Sequence, residues 1–192
     1  MAKTESTFIN MLATLFIITF VASTALAYIY EVTKEPIAAA EAARKLSAIS
    51  SVISDYDNDP VSEMYKVPSP FEGDSLECYP ASKEGKFTGM AIRTLSKRGY
   101  SGTIWLMVGI SGDGKINNIE VLDHKETPGL GAKMKELFFK DQFKGADPSQ
   151  IKLKVKKDGG DVDAITAATI SSRAFCEAVQ VALDAFNQRE SK

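Results

Sequence analysis

The sequence predicts an α+β domain built on antiparallel hairpins with flanking helices, carried behind one N-terminal transmembrane helix. Three observations predict it. An uncharged apolar run extends from Phe8 to Tyr30. Two β-rich stretches are each folded by a tight polar turn, Lys83-Glu84-Gly85-Lys86 and Ser111-Gly112-Asp113-Gly114. Near the C-terminus, Phe175, Val179, Ala182 and Phe186 recur at helical spacing. A length of 192 residues suits one domain with an accessory segment. The predicted organisation is a tail at 1–7, an anchor at 8–30, a connecting helix and linker at 31–63, and a domain at 64–192.

The run from Phe8 to Tyr30 reaches ~34 Å as a helix, enough for a hydrocarbon core of ~30 Å. Thr14, Thr19, Ser23 and Thr24 are tolerable there because hydroxyls can bond back to the helix. Tyr28 and Tyr30 fall where an interfacial aromatic belt belongs. Ala25-Leu26-Ala27 also fits a signal-peptide cleavage pattern, so a cleaved leader is the competing reading. Lys3 precedes the span and Lys34, Arg44 and Lys45 follow it, so charge gives no orientation.

Glu35-Pro36 is expected to interrupt the helix, with Pro36 opening a second one. Ala38, Ala42, Leu46, Ile49 and Ile53 mark its apolar face, and the turn-rich Asp55–Pro60 ends it. From about Met64 the pattern becomes strand-like. Leu76–Pro80 and Phe87–Leu95 flank the first turn, and Thr103–Ile110 and Lys115–Leu122 flank the second. A short helix is expected from Ala132 to about Phe139. Ile151, Leu153 and Val155 alternate with lysines and predict a strand, and a last helix should run from Ser171 or Ser172 to about Phe186.

Composition excludes several classes of function. The 23 Lys and Arg residues are scattered among 25 Asp and Glu, which gives no basic surface for a nucleic acid. Cys78, Cys176 and His124 cannot assemble a four-ligand zinc site or a four-cysteine cluster, so no metal site is expected. The two cysteines are either a disulfide or buried thiols. The uncharged span offers no ion path by itself.

Two loops carry the chemistry. Residues Asp161 to Ala174 place Ile165, Thr166, Ala167, Ala168, Thr169, Ile170, Ser171 and Ser172 directly before or at a helix start. Backbone N–H groups at such a start face any nearby anion, and small residues let a ligand approach. This is a phosphate cradle or an ordinary capping segment. The second loop, Glu126-Thr127-Pro128-Gly129-Leu130-Gly131, combines one fixed dihedral with two permissive ones and can lie against a planar ligand or simply join a strand to a helix.

Together these stretches resemble the covalent FMN-binding domain found in the G subunit of the Rnf complex and in the C subunit of the sodium-pumping NADH:quinone reductase. The family's E-T-P-G-L-G loop stands unchanged at Glu126–Gly131, and its [ST]-G-A-T-x-[ST] segment corresponds to Thr166-Ala167-Ala168-Thr169-Ile170-Ser171. The resemblance covers essentially the whole chain, and the modest length is more like the Rnf protein. It implies that Thr169 is esterified by the phosphate of FMN. It also implies that Glu126, Thr127, Gly129, Leu130, Gly131, Ile165, Thr166, Ala167, Ala168, Ile170, Ser171 and Ser172 surround the cofactor. One departure stands out: Ala167 replaces the usual glycine. If that position needs a positive φ, the alanine costs ~1 kcal/mol or more.

Further implications concern role and place. No base adjoins Thr169 in sequence, so its hydroxyl needs an external catalyst; the family implies a magnesium-dependent flavin transferase that moves the FMN group from FAD. The chain would be an electron-carrying subunit of a membrane oxidoreductase and translocase, coupling ferredoxin and NAD(H) to Na⁺ or H⁺ movement, without substrate turnover or a catalytic residue of its own. Its partners would be the other membrane subunits, the transferase and the lipid bilayer, with the flavin domain outside the cytoplasm. The alternatives are a C-type subunit of the quinone reductase, a standalone extracytoplasmic flavin reductase, a non-redox anchored interaction module, and His124 as a ring-linked attachment point.

Overall fold

The computed structural model describes residues 7–190; the tail assigned to 1–7, apart from Thr7, lies outside them, as do Lys3, Glu5 and residues 191–192. Contacts divide the chain into two units, Met1–Lys45 and Leu46–Lys192. Helix α1 spans Phe8–Val52 and is the one described helix long and apolar enough to cross a membrane. In the first unit its apolar side chains are exposed, and the hydroxyls of Thr14, Thr19 and Thr24 donate to the carbonyls of Asn10, Leu15 and Phe20 at 2.7–2.9 Å. These bonds hide polar groups that hydrocarbon would penalise.

The expected interruption at Glu35-Pro36 is absent: Pro36 lies inside α1. An internal proline removes one helix bond at a cost of ~3 kcal/mol. The run Ile37–Leu46 holds five alanines, and strong helix formers on the C-terminal side carry the helix on. The expected stripe on this helix also shifts. Ala38, Ala42 and Leu46 are exposed, whereas Ala48, Ile49, Val52 and Ile53 are buried.

The second unit is a five-stranded antiparallel meander in the order β1 (Tyr65–Pro68), β2 (Ser75–Lys83), β3 (Lys86–Ser96), β4 (Ile104–Ser111) and β5 (Ile116–Asp123). Both predicted turns form at the expected residues. Glu84 and Gly85 both take positive φ, 51° and 73°, which the right-handed twist of a two-residue hairpin demands. Cys78, Ile92, Val108 and Ile119 align across four strands and face the core. On the reverse face the end of α1 crosses Gly109, where a Cβ would overlap the Val52 carbonyl, and Asn118 Nδ2 donates to the Ser51 carbonyl at 2.9 Å.

Helix α3 spans Thr169–Glu190, starting earlier and ending later than expected. Its stripe Phe175, Val179, Ala182 and Phe186 is buried against the sheet. The segment Ala132–Phe139 is not one helix. A 3-10 turn, Gly131–Lys135, breaks at Glu136 before the short α2, Leu137–Lys140. The rings of Phe139 and Phe143 pack on Phe175 with centroids 5.1 and 5.0 Å apart, which pins this segment to α3. The strand expected at Ile151–Val155 is also absent; only a bridge, Val155 with Val162, and a 3-10 turn at Lys156–Asp158 occur. Leu153 and Val155 are still buried, so the alternation reports burial without a partner strand to make a ladder.

Cys78 and Cys176 are buried free thiols. Burial pushes the first up to about 11 and the second up to about 12, which keeps both protonated and unreactive at neutral pH.

Candidate functional site

Both predicted loops are four-residue turns with the same construction. In the first, the Leu130 N–H donates to the Thr127 carbonyl at 3.2 Å, with Pro128 second and Gly129 third at φ 76°. In the other, the Ala168 N–H donates to the Ile165 carbonyl at 2.9 Å, with Ala167 third at φ 61°. A positive φ at the third position is where a turn asks for glycine. The first loop has it. The second holds an alanine in the left-handed region, so the condition raised by the sequence is met and the strain is real.

Ser172 locks the second turn. Its Oγ accepts the Ile165 N–H at 3.0 Å and donates to the Ala168 carbonyl at 3.0 Å. Ala168 then accepts the Ser172 N–H, the first bond of α3. The N–H groups of Thr169, Ile170 and Ser171 are left without an acceptor among the described residues, an open helix N-terminus.

Glu126 joins the pieces. It is only 5% exposed, and its carboxylate accepts the Ser171 hydroxyl at 2.7 Å on Oε2 and the Ser101 N–H at 3.1 Å on Oε1. Gly131 lies directly beneath, where a Cβ would stand 2.5 Å from both Glu126 Oε2 and Ser171 Oγ. One carboxylate thus gathers the loop after β5, the loop before β4 and the first turn of α3.

The result is a cleft of about 430 Å³ lined by Tyr100, Glu126, Thr127, Leu130, Gly131 and the run from Ala167 to Ser171. Nine of these ten are residues the sequence singled out. Ile165 is not among them: it is buried in the core, and its carbonyl and N–H hold the turn together. Thr166 and Gly129 shape the turns without lining the cleft, and Ser172 is a buried brace. Of the four hydroxyls near the helix start, Ser171 and Ser172 are committed to internal bonds. Thr166 and Thr169 make none among the described residues, and only Thr169 faces the cleft.

Tyr100 is the residue that sequence reasoning missed. Its signal was an aromatic between glycines, Gly99-Tyr100-Ser101-Gly102, on a loop remote in sequence from both motifs. His124 is not in the lining. Its Nδ1 accepts the Glu126 N–H at 3.1 Å, which puts the ring proton on Nε2, a buried atom without a partner among the described residues. Burial and the charge of Lys135 hold its pKa below the ordinary value. A larger cleft, about 640 Å³ between Pro148–Gly159 and the far half of α3, contains none of the predicted site residues.

The cleft fits a phosphorylated planar ligand. It supplies three unengaged N–H groups at a positive helix end, one uncommitted hydroxyl beside them, and apolar surface from Leu130 and Ile170. Among the described residues no cluster of His, Cys, Asp or Glu is arranged to hold a metal ion.

Comparison with known proteins gives the same direction. A family model described as FMN-binding domain matches residues 99–184. A protein named as the G subunit of an ion-translocating oxidoreductase complex, from Vibrio cholerae serotype O1 (strain M66-2), is 35% identical over 173 residues, which cover 85% of this chain and 82% of that protein. A protein of the same name from Shewanella piezotolerans (strain WP3 / JCM 13877) is 40% identical over 123 residues, 61% of this chain and 58% of its own. Among solved structures, the crystal structure of Shewanella oneidensis NqrC aligns with a TM-score of 0.44 at 22% identity, covering 54% of this chain and 53% of the other.

Proposed function

Because the chain belongs to the family of G subunits of ion-translocating oxidoreductase complexes, we propose that it is the flavoprotein electron carrier of such a complex, with FMN tied by its phosphate to Thr169. The observation that carries this reading is the state of the Thr169 hydroxyl. It is the one hydroxyl of the helix start that both faces the cleft and is free of internal bonds among the described residues, and it stands next to three unengaged N–H groups.

The chemistry of attachment follows from that placement. Thr169 Oγ1 would form a bond to the flavin-side phosphorus of FAD, the P–O–P bond would break, and AMP would leave. The hydroxyl proton must go to a base, and the one carboxylate lining the cleft, Glu126, already accepts two hydrogen bonds. A flavin transferase supplying its own base is therefore the natural catalyst. After attachment the N–H groups of residues 169–171 would hold the phosphoester oxygens. The first loop and Ile170 would offer the ring an apolar wall that limits water. Bound FMN supplies the redox chemistry, taking up and releasing electrons; the protein sets its surroundings.

The anchor in α1 would keep the domain at a membrane with its partner subunits, and the flavin domain would face the extracytoplasmic side. A covalent tether suits that side, where a lost cofactor is not readily replaced. The test is intact mass and flavin fluorescence on a denaturing gel, where no folded contact quenches the ring, of the full chain, wild type and Thr169→Ala, each coexpressed with a flavin transferase. Wild type should gain one FMN group and fluoresce, and Thr169→Ala should do neither. A fluorescent Thr169→Ala band would move the attachment elsewhere, and an unmodified wild type would remove the tether.

A further inference from the structure

We propose that Tyr100 is the aromatic platform on which the flavin ring stacks, an inference that rests on the flavin reading above. Tyr100 belongs to neither loop motif. It lines the same cleft as Thr169, and it is 71% exposed. Among the described residues no ring packs on it and nothing hydrogen-bonds its hydroxyl.

An exposed tyrosine on a loose loop would be unremarked surface. The loop here is tightly built. Gly99 has no room for a side chain, because a Cβ would overlap the Gly102 carbonyl and stand 2.8 Å from Glu126 Oε1. Gly102 takes φ 129°, a conformation that favours glycine, and the Ser101 N–H is bound to the buried Glu126 carboxylate. Three constraints fix the backbone on either side of Tyr100, and what they present is a bare ring at the cleft. The same carboxylate holds Ser171, so Tyr100 and the first turn of α3 share one anchor.

The remaining cleft surface explains what the ring is for. Leu130 and Ile170 are 41% and 47% exposed, an apolar lining that a flat apolar ligand would cover. A phosphate held at the N-terminus of α3 leaves the ring system of FMN to occupy that lining. The electron-rich phenol is a suitable offset-stacking partner for the electron-poor oxidised flavin.

The test uses the full chain in detergent micelles, as wild type, Tyr100→Phe and Tyr100→Leu, each coexpressed with a flavin transferase. Intact mass reports attachment and so tests the functional reading by itself. Fluorescence per attached flavin then tests Tyr100, because a stacked phenol quenches flavin emission by lending an electron that returns at once. The flavin should be dim in wild type and several-fold brighter in Tyr100→Leu; equal brightness overturns the proposal. Where attachment fails in any chain, free FMN is titrated into the same variants carrying Thr169→Ala. Tyr100→Phe should then bind like the tyrosine parent, while Tyr100→Leu should bind roughly three- to tenfold more weakly. Indistinguishable titrations, including no binding by either, overturn the proposal even if Thr169 proves to be the tether.

Discussion

Replacing Ala167 with glycine should stabilise the protein, the reverse of what an alanine-to-glycine change does at an ordinary position. Ala167 sits at φ 61°, at the third position of the turn that leads into α3. An L-residue with a Cβ pays about 1–2 kcal/mol there relative to glycine. Glycine loses more freedom on folding, which takes back about 0.4–1 kcal/mol. The net gain is about 1 kcal/mol, or about 2–4 °C in midpoint for a domain of this size. Thermal unfolding of the full chain in detergent, followed by circular dichroism, measures it. Two companions fix the sign. Ala164→Gly, three residues earlier and outside the positive-φ positions, should lower the midpoint. Glu84→Gly, at φ 51° in the first hairpin, should raise it, because the Glu84 N–H that donates to Asp57 Oδ2 is kept. If Ala167→Gly falls with Ala164→Gly, the turn is not held in the left-handed region, and the account of how Thr169 reaches the cleft fails with it.

Gly131→Ala should destabilise by about 1–3 kcal/mol, because the new Cβ would stand 2.5 Å from both partners of the Glu126–Ser171 bond. An unchanged urea midpoint would show that this junction is loose. His124 gives a pH dependence. Its folded pKa lies below the ordinary 6.5, so the unfolded chain binds the proton more readily. The contribution is fully present above the unfolded value and is lost as pH falls toward the folded one, so the midpoint should drop between about pH 7.5 and pH 5.5, and drop less in His124→Gln. Equal drops would show that His124 is not the group responsible; Asp147 and Asp158, whose hydrogen bonds hold their pKa values low, lose their contribution only below about pH 5 and cannot account for a drop in this window.

The hairpins were readable in the sequence because each turn carries its own chemistry, Glu84-Gly85 in one and Ser111–Gly114 in the other. The C-terminal stripe was readable because it packs on a single face. What misled was local pattern without its tertiary context. Ile151, Leu153 and Val155 alternate as a strand would, but among the described residues no neighbouring strand pairs with them. Pro36 reads as a boundary, but the alanines after it sustain the helix. The candidate site was legible as two motifs, which contain nine of the ten residues lining the cleft. Tyr100 was not, because its relation to Thr169 is made by the Glu126 carboxylate, a contact between segments 25 residues apart in one direction and 45 in the other.

That carboxylate also explains how the hydroxyls divide their work. A buried anion costs several kcal/mol unless its oxygens are hydrogen-bonded, and each bond to a charged acceptor returns about 1.5–3 kcal/mol. No lysine or arginine pairs with Glu126 among the described residues, so the Ser101 N–H, the Ser171 hydroxyl and the positive end of α3 must do this. Had Ser171 turned to a phosphate instead, Glu126 would be left with one partner and a second negative charge beside it. The arrangement is stable only if Ser171 stays with Glu126 and the incoming phosphate is met by the backbone N–H groups of Thr169, Ile170 and Ser171. Ser171→Ala should therefore weaken folding more than it weakens flavin attachment, whereas Thr169→Ser should leave both nearly intact, the tether having moved onto a different hydroxyl at the same place. Unfolding midpoints and flavin content per chain, measured on the same preparations, separate the two; loss of flavin from a well-folded Ser171→Ala chain would put that hydroxyl on the phosphate after all.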